Sequence, residues 1–398
     1  MGEIGRMPLV SYQDARPWAK AIRDAVRSRK MPPWFADAPA DARYNLLNDR
    51  RLTDAEIATL AAWADSGAAA GEARRNPEGR VWPVGWNLDL GSRVYAGEPD
   101  AVFEIPRAFE VPAKGEVEYQ YFVVPTGFKE DRWVQAVEVR PGGTLGEHGV
   151  VHHVVVYIRE RGSTWRPASS PGSGHSPAQL HSPTQIHNPT RSDILQVYAP
   201  GTAPEVWPDG MAKLIPAGSD LVFEIHYTPN GKRTTDRTRV GMMFAAFAGS
   251  RPEKRVLTLQ MSNERFVIPP GDPNYRVTVW GSLPNDALLL GFFPHMHLRG
   301  KAFEFTRLRG DGQPETLLKV SHYDFHWQLA YRLATPVLLK KGTRLQWIAW
   351  FDNSPNNPRN PDPSAEVRYG EQSREEMMVG FFDVAVDAGV DKAAFFVR

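Results

Sequence analysis

The chain has 398 residues, 42% hydrophobic and 23% charged, with 47 Lys plus Arg against 46 Asp plus Glu and a formal charge of +1. That length buries sizeable cores in two to three domains of ordinary size, while the balanced charge excludes a nucleic-acid footprint or polybasic anchor, and no apolar run approaches the roughly 20 residues of a membrane helix. Cysteine is absent, which removes disulfides, thiolate catalysis, iron–sulfur clusters and covalently attached haem, so a tight metal site has to be built from histidine, methionine and carboxylates.

Residues 1–84 are expected to form a small helical unit. Pro17 suits a first helical position, and Trp18, Ile22 and Val26 recur on one face until Met31, Pro32 and Pro33 stop the pattern. Thr53 and Glu56 form a capping box for a second helix with Ile57, Leu60 and Ala64 on one face and Gly67 at its end. From about Trp82 the pattern changes to short strands rich in β-branched and aromatic residues, at 119–124, 133–139, 150–158, 221–227, 288–293 and 345–351, separated by Pro and Gly turns. Strands that do not alternate with helices disfavour a parallel α/β sheet and predict β-sandwiches, and the length requires two, divided near Gly249. The tract 162–193, rich in Ser, Pro, Gly and Thr, carries His175, His181 and His187. It reads as a solvated loop; a metal-binding ribbon is the alternative, at a cost in ordering entropy.

All 11 histidines lie at or after His148, and two constellations could hold metal. His152-His153 is followed by His226 in Phe223-Glu-Ile-His-Tyr227. Adjacent side chains of a regular strand point to opposite faces, so this pair can serve one ion only at a strand end, an edge or a bulge; otherwise one ring faces the core and the other water. Three imidazoles would suit copper or zinc. In His295-Met296-His297 the histidines share a strand face with Cα atoms about 6.7 Å apart and converge without distortion. A third ligand must come from elsewhere, and Met377 offers a thioether suited to reduced copper, or else fills the core beside Val379–Phe382. His322 and His326 form a weaker third pair, on one face if their segment is a strand. No Ser-His-Asp turn, P-loop or dinucleotide fingerprint is found.

The order His152-His153, His226 before Tyr227, His295-x-His297, then Met377 after Glu376 resembles the copper type II ascorbate-dependent monooxygenases, the family of peptidylglycine α-hydroxylating and dopamine β-monooxygenases. Val151-His-His-Val, Ile225-His-Tyr, Pro294-His-Met-His-Leu-Arg-Gly-Lys301 and Glu376-Met377 are similar to its bacterial branch, over about residues 85 to 398. The resemblance implies a mainly β chain of two antiparallel jelly-roll β-sandwich domains, 85–248 and 249–398, each carrying one copper on facing walls of a cleft. His152, His153 and His226 would hold the electron-donating copper, and His295, His297 and Met377 the copper where dioxygen and a small-molecule substrate meet. Ascorbate or another one-electron donor, a protein among the candidates, would reduce both ions, and a C–H bond would be hydroxylated.

Peptide-hydroxylating members hold a substrate carboxylate with a basic residue two positions before His-x-His and a tyrosine four after the Met ligand. This chain has Phe293 and Phe381 there, so an apolar or aromatic substrate is expected in place of a peptide. Segment 1–84 resembles a cytochrome c fragment, with Met31 of Arg29-Lys-Met-Pro-Pro-Trp34 in the axial position and Gly2-Glu-Ile4 like the residues after the haem-attaching motif. That motif is missing, so haem is not expected in this chain. A start downstream of the motif is one explanation, which would also account for the absent secretory pattern in a family expected in the periplasm or outside the cell; a natural haem-free remnant is the other. A copper- or ligand-binding protein without turnover and a redox-only partner of a haem domain are the competing functional readings.

Overall fold

The computed structural model describes residues 9, 11–71, 86, 88, 99–142, 149–163, 186–187, 193–246 and 251–395. Ser11 caps the short helix Tyr12–Ala15, Pro17 lies in the 3-10 turn Arg16–Trp18, and Ala19–Arg27 continues as α-helix. The reciprocal Thr53–Glu56 cap opens Asp54–Asp65, and Gly67, at φ +93°, terminates it. The two longer helices meet through Ala19, Ala64 and Ala68, and Arg23 and Arg27 reach Asp65 at 2.7 and 2.8 Å.

The cytochrome c-like reading of residues 1–84 is corrected by this arrangement. The chain has no cysteine and no histidine before His148 to attach or ligate haem, and Met31 is 36% exposed. What the described residues form here is two short helices joined by a small alanine contact. Gly2-Glu-Ile4 and Trp82 lie outside the described residues.

The remainder is mostly β-sheet, but the prediction of two jelly-roll sandwiches is also corrected. A ten-stranded sheet runs through both halves, with Ala101–Glu104, Arg239–Phe244, Arg132–Arg140, Met211–Ile215, Lys254–Ser262, Val379–Asp387, Ala287–His295 and Tyr331–Leu339 as neighbours in that order. The halves join where Lys254 and Arg255 pair in parallel with Met211 and Ala212. Alternation in a sequence shows which face of a strand is buried, not which edge it pairs with, so this union is invisible to patterning. Among the described residues no sheet closes into a barrel.

Two four-stranded sheets cover this platform. In one, Gln120–Pro125, Asp220–Tyr227, Val151–Arg159 and Asp193–Tyr198 send Val154, Val156, Ile158, Phe223 and Ile225 against Val134 and Val137. In the other, Tyr275–Ser282, Arg344–Phe351, Gly300–Leu308 and Pro314–Val320 send Phe303, Phe305 and Trp347 against Leu257 and Phe382. A third apolar layer positions the site. Val155, Tyr157 and Val222, on the outer face of the first covering sheet, meet Phe293, Val379 and Phe381. Burial on both faces explains the unbroken apolar run from Val154 to Ile158 within this strand.

A candidate metal centre between the sheets

Five histidines gather at one end of that third layer. Between Val151–Arg159 and Asp220–Tyr227, His153 pairs with His226 and Val151 with Tyr227, so His152 is the extra residue of a β-bulge. A bulge releases its residue from strict alternation, and the adjacent pair thereby turns to one side. His226 shares its strand face with Val222, towards the same layer. One ring nitrogen from each of His152, His153 and His226 lies within 4.8 Å of the others. His152 Nδ1 and His153 Nδ1 are 3.2 Å apart, and His226 Nδ1 is buried with no hydrogen-bond partner.

These distances fit a metal. A metal–nitrogen bond of about 2.0 Å plus about 1.1 Å to the ring centre puts two imidazoles on one ion with centroids about 5 to 5.5 Å apart at trigonal or tetrahedral angles. The observed separations are 5.5 Å for His152–His153, 5.3 Å for His152–His226 and 5.1 Å for His153–His226. Tyr119 stacks on His226 at 4.9 Å and sets its hydroxyl 3.0 Å from His153 Nε2, leaving Nδ1 of His153 for a metal.

The second constellation sits beside the first. His295 ends Ala287–His295 opposite Val379, and its Nδ1 donates to Gln328 Oε1 at 2.7 Å, which directs Nε2 inward as the free nitrogen. His297 is fully buried; its Nδ1 donates to the Glu375 carbonyl at 3.2 Å, and its Nε2 has no partner. The two rings are 5.3 Å apart and perpendicular. Met377 is half-buried against the same apolar layer, and the preceding Glu376 ties its segment to the histidine turn by accepting from the backbone N–H of His297 at 2.8 Å and of Arg299 at 2.5 Å.

The expected gap between the two sets is not present. His153 and His295 lie 5.1 Å apart, so five imidazoles form one contiguous cluster. Phe325 closes it, stacked 4.1 Å from His152 and edge to face 6.1 Å from His297. Sequence reasoning missed Tyr119, Phe325 and Gln328, which lie outside any metal-ligand spacing; their positions follow from sheet register and loop course. His322 and His326 stand exposed on an irregular loop, not on one strand face. His175 and His181 lie outside the described residues, and His187 is placed in a two-residue strand whose backbone pairs with Gln260.

Burial pushes His226 and His295 down to about 4, and holds His152, His153 and His297 well below the ordinary imidazole range, with neighbouring imidazoles adding to the effect. All five are neutral at neutral pH, the state a metal ligand needs. A histidine with a lowered folded-state pKa contributes stability that is complete above its ordinary value of 6.5 and is lost as pH falls toward 4. Urea unfolding of the metal-free chain should therefore lose on the order of 3 kcal/mol each for His226 and His295 across that range, and bound copper should delay the loss. A stability profile that stays flat from pH 7 to 4 would contradict this protonation state.

Residues 255–382 match the family model described as copper type II ascorbate-dependent monooxygenase, C-terminal domain. That match links the chain to the copper monooxygenase family. It contains His295, His297 and Met377 and does not reach the amino-terminal segment, so it singles out no cytochrome-fused branch. Joined to the three-histidine cluster, it supports a copper-binding oxidoreductase. No curated protein matches the chain. Among solved structures, the crystal structure of the STIV MCP is similar at 10% identity and a TM-score of 0.28, covering 72% of this chain and 96% of that one. A structure of infectious bursal disease virus Gt strain gives 8% identity and a TM-score of 0.21, with 75% and 74% covered. An oxalate decarboxylase gives 7% and 0.15, with 75% and 83% covered. At those TM-scores the likenesses carry no argument about fold.

Proposed function

We propose that the chain is a copper-dependent monooxygenase that hydroxylates a C–H bond of a small apolar or aromatic molecule with dioxygen and a one-electron donor such as ascorbate. The observation that carries this reading is the contiguous buried cluster of five neutral imidazoles, with unpartnered nitrogens on His226 and His297, two of the five, His295 and His297, inside the family match. His152, His153 and His226 would hold one copper, and His295, His297 and Met377 a second. Bound there, copper supplies one-electron transfer and dioxygen activation.

The chain's own residues set the surroundings. Phe325 and Tyr119 cover the imidazoles and exclude water. Phe293 and Phe381, 6.1 Å apart edge to face, give the neighbouring layer an apolar wall where a carboxylate clamp would need a cation. Glu224 shares the strand face of His226 and accepts from the Tyr157 hydroxyl at 3.3 Å. Burial, and then the nearby Glu371, push its carboxyl up to about 7, so its Oε2 can hold or release a proton at neutral pH.

A second reading, copper binding without turnover, is favoured by the depth of the site, because none of the five rings is more than 8% exposed. Oxygen uptake by the copper-loaded chain with ascorbate separates the two. Uptake that depends on an added alkylbenzene, with a product one oxygen atom heavier, is the expected result; bound copper without substrate-dependent uptake would support the binder. Turnover of a glycine-extended peptide in preference to aromatic compounds would overturn the substrate class.

A further inference from the structure

Ions must reach a cluster that is almost sealed, and the loop that seals it carries an exposed imidazole. His326 lies with its ring centroid 6.5 Å from that of His152 and 5.5 Å from that of Phe325. Its backbone is pinned: Asp324 Oδ1 accepts from His326 N at 2.9 Å, Trp327 N donates to the Asp324 carbonyl at 2.9 Å, and Arg359 holds Asp324 Oδ2 at 2.7 Å. Among the described residues nothing hydrogen-bonds the His326 ring itself. His152 has its Nδ1 turned to His153, and among the described residues nothing hydrogen-bonds its Nε2. Two imidazoles placed trans across one ion have centroids about 6.2 Å apart, close to the His152–His326 separation and longer than the 5.1 to 5.5 Å of the neighbouring pairs in the cluster.

We infer that His326 is a capture position for copper, which binds the arriving ion at the surface and passes it to His152. This inference rests on the copper reading of the His152, His153 and His226 site. The transfer is a ligand exchange without redox change: a copper–nitrogen bond to His326 forms as a bond to the incoming donor breaks, and the His152 bond then replaces it. An ion held at the rim has a high effective concentration at the next ligand, so the gain is in rate, not in affinity. Because a transit position lies on both the inward and outward routes, loading and release slow by the same factor when it is lost.

The test is the time course of copper loading of the metal-free full chain from a coloured copper(I) chelate, and of release to excess chelator. His326→Ala should slow both by about tenfold or more, with unchanged final copper content and an unchanged X-ray absorption spectrum. His322→Ala, on the same loop and also exposed, should load at the parent rate. Loading of the His326→Ala chain within twofold of the parent would overturn the inference, as would faster release with lower final content, which would make His326 a resident ligand. A parent chain that takes up no copper would instead overturn the copper reading itself.

Discussion

Glu376→Ala should destabilise the chain by about 2 to 6 kcal/mol, because it leaves two buried backbone donors without an acceptor. Glu376 is fully buried and accepts from the His297 and Arg299 backbone N–H groups at 2.8 and 2.5 Å. The Arg299 side chain, 1% exposed, reaches Asn353 Oδ1 at 2.8 Å and the Arg374 carbonyl at 2.7 Å, and Asn353 in turn donates to the Pro269 and Ala365 carbonyls at 2.9 Å each. Alanine would leave the His297 and Arg299 amide donors unsatisfied and loosen the turn that carries the Arg299 side chain. Burial pushes Glu376 up to about 8 against the donors that favour its ionised form, so Glu376→Gln, which keeps an acceptor for one of the two N–H groups, should cost less, about 1 to 3 kcal/mol. Urea unfolding monitored by tryptophan fluorescence reads both values. An Ala variant within about 1 kcal/mol of the parent would show that the knot does not hold the histidine turn and the Met377 segment together.

His153→Ala should weaken copper binding more than about 100-fold, beyond the loss expected from a residue that only orients a ligand. His153 is the hinge of the cluster, with ring centroids 5.5 Å from His152, 5.1 Å from His226 and 5.1 Å from His295. Its loss opens the three-nitrogen site and severs the contact between the two sets. Gln328→Ala leaves all five rings in place but frees His295 to rotate, and should cost about 10- to 100-fold. Competition with a copper(I) chelator measures both. A His153 variant no weaker than the Gln328 variant would mean that His153 orients the site without ligating.

The capping box and the positions of the strands were legible because caps and β-branched, aromatic runs are local properties, as at Thr53, Glu56 and Val151–Arg159. The bulge at His152 was legible in a weaker sense: an adjacent histidine pair can meet one ion only if a strand is interrupted. The union of ten strands into one sheet was not legible, since it turns on the edge pairing of Lys254 and Arg255 with Met211 and Ala212. Nor was the closeness of the two histidine sets, which depends on how the outer face of one sheet seats on Phe293, Val379 and Phe381. Phe325, Tyr119 and Gln328 reach the cluster from loops and strand ends, where neither a period nor a ligand spacing marks them. The cytochrome-like reading failed because it rested on short stretches, Arg29–Trp34 and Gly2–Ile4, in a segment that has neither cysteine nor histidine to attach or ligate haem.

X-ray absorption at the copper edge, on the metal-free chain titrated to saturation with copper(I), reads the ligands of both sites. Two ions per chain are expected, with nitrogen scatterers at about 2.0 Å and a sulfur scatterer at about 2.3 Å that disappears in Met377→Ile while the chain stays folded. One ion or none, or a sulfur signal that survives Met377→Ile, would contradict the two-site assignment.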